Sequence, residues 1–189
     1  PDQITCYSWN YLSTIAKHNY CMLVGDDAQF LSKHWDQHIV DFFETYKHKD
    51  KILYVCPRDM TPKDKRRWEK YNLPTDKPYK IKTHPSPIGA AHFVLHKNWI
   101  NTVGYFLPPQ FWHWHIDNYL TKIAVKLGRA YVLPYVQIQS KKIMDDHTGK
   151  RIRTEMNIWY RDRDVWRRTK GRYLTADIEA LQNFIKNYN

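Results

Sequence analysis

Two adjacent carboxylates, Asp26 and Asp27, follow an apolar run in "YCMLVGDDAQF", Tyr20 to Phe30. Carboxylates at the end of a buried strand cost solvation energy unless something positive meets them. Mg²⁺ or Mn²⁺ fits, because hard cations prefer carboxylate oxygen and the carboxyl ends of strands are where α/β sheets bind ligands. Turn chemistry is the alternative, with Gly25 supplying an unusual backbone dihedral and an Asp capping the next element. A further acid, Asp117, stands in "FWHWHIDNYL" among Trp112, His113, Trp114 and His115. It is either a first-turn helix residue favoured by the dipole, or a general base that takes the proton of an acceptor hydroxyl beside an aromatic platform for a sugar-like face. His113 and His115 alternate with tryptophan and read as loop histidines without metal-ligand duty. A third reactive group, "MDDHTGKR", carries His147, Lys150 and Arg151.

These groups need elements to hold them. Ser8 to Lys17 has helical spacing, with Trp9, Leu12, Ile15 and Ala16 able to share a face, and leads into the strand "YCMLV". Ser32 is placed to cap a helix carrying Trp35, Ile39, Phe42, Phe43 and Tyr46 as an apolar stripe, and "KILYVC", Lys51 to Cys56, is a second strand. From Pro57 to Pro87, six prolines among charges read as a long excursion with little regular structure. A Gly-Ala-Ala turn, a short strand and a short helix ended by Gly104 follow. The spacing then predicts a helix from Ile116 to Leu127 stopped by Gly128, strand material broken by Pro134, and a final helix capped by Thr175. Helix and strand alternate, so the class is α/β.

Thirty Lys and Arg against nineteen Asp and Glu give a net charge of +11, which implies a polyanionic partner: nucleic acid, a phosphorylated ligand or an anionic surface. The excess gathers in Gly149 to Arg172 and in "KDKRRWEK", Lys63 to Lys70, each of which also reads as a solvated helix face. No apolar run is long enough for a membrane helix, and the N-terminus lacks the pattern of a signal peptide. Cys6, Cys21 and Cys56 lack ligand spacing and sit in apolar surroundings, which favours reduced thiols and the cytoplasm.

The order of the pieces resembles a known family. "NYLSTIAKHNYCMLVGDDAQF", a helix and a strand, then "GAAHFVLHKNWINTVGYF", then "HIDNYL…LGRAYVLP" are similar, over Ser8 to Pro134, to the C-terminal two-thirds of a family 2-like glycosyltransferase with a GT-A fold. The resemblance implies a Rossmann-related mixed sheet flanked by helices, followed by a helical basic C-terminal segment. The length fits one domain over 1–189, read as helix, acidic-motif strand and α/β unit at 1–57, a Pro-rich loop at 58–87, an acceptor-side α/β unit at 88–140, and a basic loop with C-terminal helices at 141–189. The resemblance also carries site roles. It assigns Asp27 and Asp26 to Mn²⁺ or Mg²⁺ and Asp117 to the catalytic base of an inverting transfer from a nucleotide-sugar donor to a saccharide or other hydroxyl acceptor. His147, Lys150 and Arg151, with Lys141 and Lys142, would close over the donor diphosphate. Trp112, Trp114, His115 and His96 fall on the acceptor side. The N-terminal nucleotide-binding segment of that family has no counterpart here, which leaves a fragment, a reshaped domain or an inactive relative as expectations. Ser140 and lysines stand where relatives often carry histidines near the metal.

A strand ending in Gly-Asp-Asp is also similar to the metal motif of RNA-dependent polymerases, but those need a further catalytic Asp well upstream, and only twenty-four residues precede Gly25. From a different class, Arg151, Arg153, Arg161, Arg163, Arg167, Arg168 and Arg172 with Trp159 and Trp166 would serve a nucleic-acid or polyanion-binding module.

Overall fold

The computed structural model describes residues 4–25, 27–83, 91–140, 157–169 and 171–188. The elements run α1 (Ile4–Ile15), β1 (Tyr20–Leu23), β2 (Ala28–Phe30), α2 (Trp35–Thr45), β3 (Tyr54–Asp59), α3 (Pro62–Lys70) and β4 (Tyr79–Lys80). They continue with β5 (Phe93–His96), α4 (Lys97–Val103), α5 (Ile116–Leu127), β6 (Ala130–Ser140), α6 (Ile158–Thr169) and α7 (Arg172–Tyr188). The strands form one mixed sheet in the order β1-β5-β3-β6-β2, with β4 also paired to β6. β3 and β6 are parallel, and the other pairs are antiparallel. The α/β class and the flanked mixed sheet read from the sequence are present. Among the described residues no helix is long and apolar enough to cross a membrane.

The period of two along the central strands divides the core into two layers. Leu53, Val55, Val94, Tyr131 and Leu133 join Ile39, Phe42 and Phe43 of α2 on one face. Tyr54, Cys56, Phe93, Leu95, Ala130 and Val132 face the other way, toward Trp99, Tyr119, Leu120, Ile123 and Leu181 of the remaining helices. Phe43, Trp99 and Tyr119 are fully enclosed, and each such side chain contributes about 1.5–3 kcal/mol of transfer free energy. Gly104 and Gly128 end α4 and α5 in the left-handed region, with φ of 86° and 68°, where a side chain is strained.

Three local expectations change. The Pro-rich stretch is not simply a loop: Pro62 enters α3 at its first turn, and buried Trp68 anchors that helix to the core under the Arg58 guanidinium, 4.8 Å from the ring centroid. The final helix starts at Arg172, so Thr175 lies inside it and bonds back to the Gly171 carbonyl at 3.1 Å. Ser32 caps nothing, since His34 holds that position in a left-handed conformation with no side-chain cap. Instead Ser32 repairs β6. Pro134 lacks an N–H, and β6 advances from Leu133 to Gln137 while β3 advances only from Pro57 to Arg58. The Ser32 hydroxyl fills that bulge, donating to the Tyr135 carbonyl and accepting from the Gln137 N–H, both at 2.8 Å.

A buried ion pair ties the entry of β3 to the turn between α5 and β6. Arg129 donates to both Asp50 oxygens at 3.2 and 3.1 Å, and Asp50 Oδ1 also accepts from the Ile52 N–H at 2.8 Å. Asp50 and Arg129 are 2% and 9% exposed. Asp50→Ala strands a buried guanidinium and Arg129→Met a buried carboxylate, and we expect each to lose about 3–5 kcal/mol by urea denaturation. Burial, and then the Arg129 charge, push the nearby His48 imidazole from 6.5 to about 4. The unfolded chain therefore takes up this proton first, so His48's contribution is intact above pH 6.5 and is lost as pH falls toward about 4. Melting temperatures across that window should fall less steeply for His48→Gln than for the parent.

Candidate functional site

One end of the sheet gathers the chemistry read from the sequence. β1 runs into Gly25, with β5 starting alongside as Leu23 pairs with Phe93. Ser140 ends β6 opposite Ala28, immediately after Asp27, and Asp59 ends β3 opposite Ile138. A cleft of about 650 Å³ opens there, lined by Gly25, His92, His113, Trp114, His115 and Asp117, with Trp9, Leu23, Leu107 and Ile116 as its apolar wall. Groups separated by some ninety positions of chain thus share one cavity.

The turn after β1 is tight. A Cβ added to Gly25 would lie 2.6 Å from Asp27 Oδ1, so the missing side chain leaves room for the carboxylate to fold back over residue 25. Gly25 does not have a left-handed φ, which replaces the expected unusual dihedral with a requirement for space. Asp27 offers hard oxygen donors of the type Mg²⁺ and Mn²⁺ take. Among the described residues no three His, Cys, Asp or Glu side chains cluster to hold an ion, so a cation at Asp27 would draw further ligands from a bound phosphate, as small hard cations do.

Asp117 sits in the first turn of α5, partly buried, with Asn118 Nδ2 donating to Oδ1 at 3.3 Å. What aims it is a neighbouring carboxylate that sequence reading passed over. Asp162 of α6 is fully buried, and its carboxylate accepts the backbone N–H groups of Trp112, His113 and Trp114. The distances to Oδ2 are 3.2, 2.8 and 2.7 Å. Successive N–H groups converging on one anion form a nest, and the chain leaves it through His115, which takes a φ of 66° to launch α5. Arg161 supplies the counter-charge at 2.5 Å and covers the Trp112 ring at 4.1 Å. His115 stacks on Trp166 of the same helix, with centroids 6.1 Å apart and planes within 7°. The only sequence signal for this was an acid inside a basic helix.

Burial holds the cleft histidines below their ordinary values. For His92 the pull of Asp59 and Asp27 opposes burial, for His113 that of Asp162, and for His115 that of Asp117 and Asp162. Burial likewise raises the Tyr54 hydroxyl and the Cys56 thiol beneath Asp117, with the Asp117 charge adding to both.

The cleft brings together Trp114, His115 and Asp117, while Asp27 is not among its lining residues and stands beside it, its carboxylate against Gly25. It does not include the other two acceptor-side residues. Trp112 is covered by Arg161, and His96 lies at the far end of β5, opposite Tyr20, where its Nδ1 accepts the Asn98 N–H at 3.0 Å and caps α4. Asp26, His147, Lys150 and Arg151 lie outside the described residues, as do Lys141 and Lys142. His92 entered no sequence assignment, although its place just before an apolar strand in "GAAHFVLH" was a usable signal. On the basic helix, Arg163 pairs with Asp164 and lies over Trp159 and Tyr160, while Trp166 packs on His115 and Tyr119. The aromatics that a nucleic-acid platform would use are already engaged.

Comparison with known proteins returns no matching family model, curated protein or solved structure. The functional reading therefore rests on the cleft itself.

Removing the Asp162 charge should loosen the whole segment from Trp112 to Asp117. Asp162→Ala leaves three buried N–H donors and Arg161 unpartnered, an expected loss of about 3–5 kcal/mol. Asp162→Asn should cost nearly as much, because its NH₂ turns a second set of donors toward the nest. Urea midpoints followed by tryptophan fluorescence check both.

Proposed function

We propose that this chain is a metal-dependent glycosyltransferase domain of the GT-A type, a hexosyltransferase moving a sugar from a nucleotide-sugar donor to a hydroxyl of a saccharide or similar acceptor with inversion. The observation that carries the reading is that Gly25, against which the Asp27 carboxylate lies, and Asp117 line one cleft, beside Trp114 and His115. A transferase needs a cation-binding acid and a base on opposite sides of the anomeric carbon, and a wall apolar enough to exclude water.

In this reading Asp27, with Asp26, holds the cation against the donor diphosphate, and His147, Lys150 and Arg151 are assigned to the same phosphates. When bound, Mn²⁺ or Mg²⁺ neutralises charge developing on the leaving diphosphate. Asp117 takes the proton from the acceptor hydroxyl. The acceptor oxygen bonds to the anomeric carbon as the bond to the diphosphate oxygen breaks, and the diphosphate departs with the electron pair. Trp114 offers a ring face to the acceptor. The three buried free cysteines support a reducing compartment, the cytoplasm.

Calorimetric titration with UDP, GDP and dTDP, with and without Mn²⁺, tests the proposal. Metal-dependent binding of one nucleotide, lost in Asp27→Ala, is the expected result. No binding to any of them, or binding indifferent to Asp27, sinks it. Asp117→Asn should keep donor binding while turnover on a found acceptor falls about 10²–10⁴-fold. Salt-sensitive binding to an unrelated oligonucleotide that ignores both substitutions would instead favour a polyanion-binding module.

A further inference from the structure

His92 stands at the junction of three strands on the floor of the cleft. It immediately precedes β5, its Nε2 lies 3.1 Å from Ser140 Oγ at the end of β6, and Ser140 pairs across the ladder with Ala28, next to Asp27. One nitrogen is thus tethered, which fixes the ring plane and leaves Nδ1 as the only polar atom the imidazole can still offer. Nδ1 has no partner among the described residues, and His92 lines the cavity. A ring tethered through Nε2, with Nδ1 unpartnered among the described residues, beside the apolar wall of the cavity and near Asp27, is suited to a neutral, directional hydrogen bond to a hydroxyl. It is poorly suited to phosphate, which Lys or Arg would serve better.

We propose that His92 is a substrate-contacting residue that hydrogen-bonds a hydroxyl of the transferred sugar, with Ser140 as its positioning partner. The inference rests on the transferase reading above, and it divides the donor between two sets of groups. The acidic turn holds the diphosphate, while His92 holds the sugar attached to it. Replacing His92 should therefore change recognition of the sugar without changing recognition of the nucleoside diphosphate.

The test compares UDP, GDP and dTDP with UDP-glucose, UDP-galactose, GDP-mannose and dTDP-glucose, titrated calorimetrically in the presence of Mn²⁺. For whichever pair binds the wild type, His92→Ala should lose affinity for the sugar ester about tenfold and for the free diphosphate not at all, the size of one buried hydrogen bond. Ser140→Ala should show the same split at about threefold, and His92→Gln should recover part of the loss. Melting temperatures establish that each variant is folded. If His92→Ala is not, His92→Gln and Ser140→Ala carry the comparison without emptying the site. Equal losses for ester and diphosphate, no loss for either, or a wild type that binds a diphosphate but no ester overturns the role of His92 and leaves the cation site standing. A wild type that binds no diphosphate overturns both.

Discussion

The arrangement of the cleft depends on one buried anion meeting three backbone donors. Asp162 has no solvent to stabilise its charge, so the N–H groups of Trp112, His113 and Trp114 and the Arg161 guanidinium must do so. That requirement runs in both directions. The loop is curled because the carboxylate gathers its donors, and α6 is docked because its acid has nowhere else to be satisfied. The turn at His115, the start of α5 and the position of Asp117 follow from the same contact. Cys6 of α1 lies close enough for the Asp162 charge to reinforce the effect of burial, which lifts its thiol to about 12. The first and penultimate helices thus meet at this point.

The sheet supplies the other wall by a different means. Strands β1, β3, β5 and β6 all have a terminus near one end, where Gly25, Asp59, His92 and Ser140 stand at or just beside the strand ends. Apolar alternation keeps the strands themselves buried on both faces. The hydrogen-bonding needs of the turns then decide which side chains point inward. The α7 helix closes the back of this layer through Asp177, which accepts from Tyr119 of α5 at 2.6 Å and from Tyr105. A rigid floor under α5 is what keeps an acid in its first turn at a fixed place.

Much of this could be read from the sequence where local physics decides. The helix from Ile116 to Leu127 and its stop at Gly128 are found as expected, because a clean apolar period and a left-handed terminator leave little choice. The strand before the acid pair and the short helix ending at Gly104 follow for the same reason. The misses share a cause too. Ser32 looks like a cap by its neighbours, but a bulge at Pro134, a hundred positions away, claims its hydroxyl. His96 and His92 are both histidines at the ends of one strand, and only the pairing with β1 tells which end holds the acids. Asp162 was hidden among arginines because its donors come from a distant loop. Contacts between distant segments leave no periodic mark.

The parallel ladder between β3 and β6 carries a consequence for how the chain reaches this state. Tyr54 pairs with Ala130, and everything between them must be threaded before that ladder closes. Non-local pairing of this kind slows folding and leaves apolar strands waiting. The outer strands on the other flank of β6 are brief, three residues in β2 and two in β4, and the second of those two is Lys80. Neither presents a run of open N–H and C=O groups long enough to recruit a stray strand from another molecule. The slow closure at the centre of the sheet is matched, on the β2 and β4 side, by a margin that resists polymerisation while it proceeds.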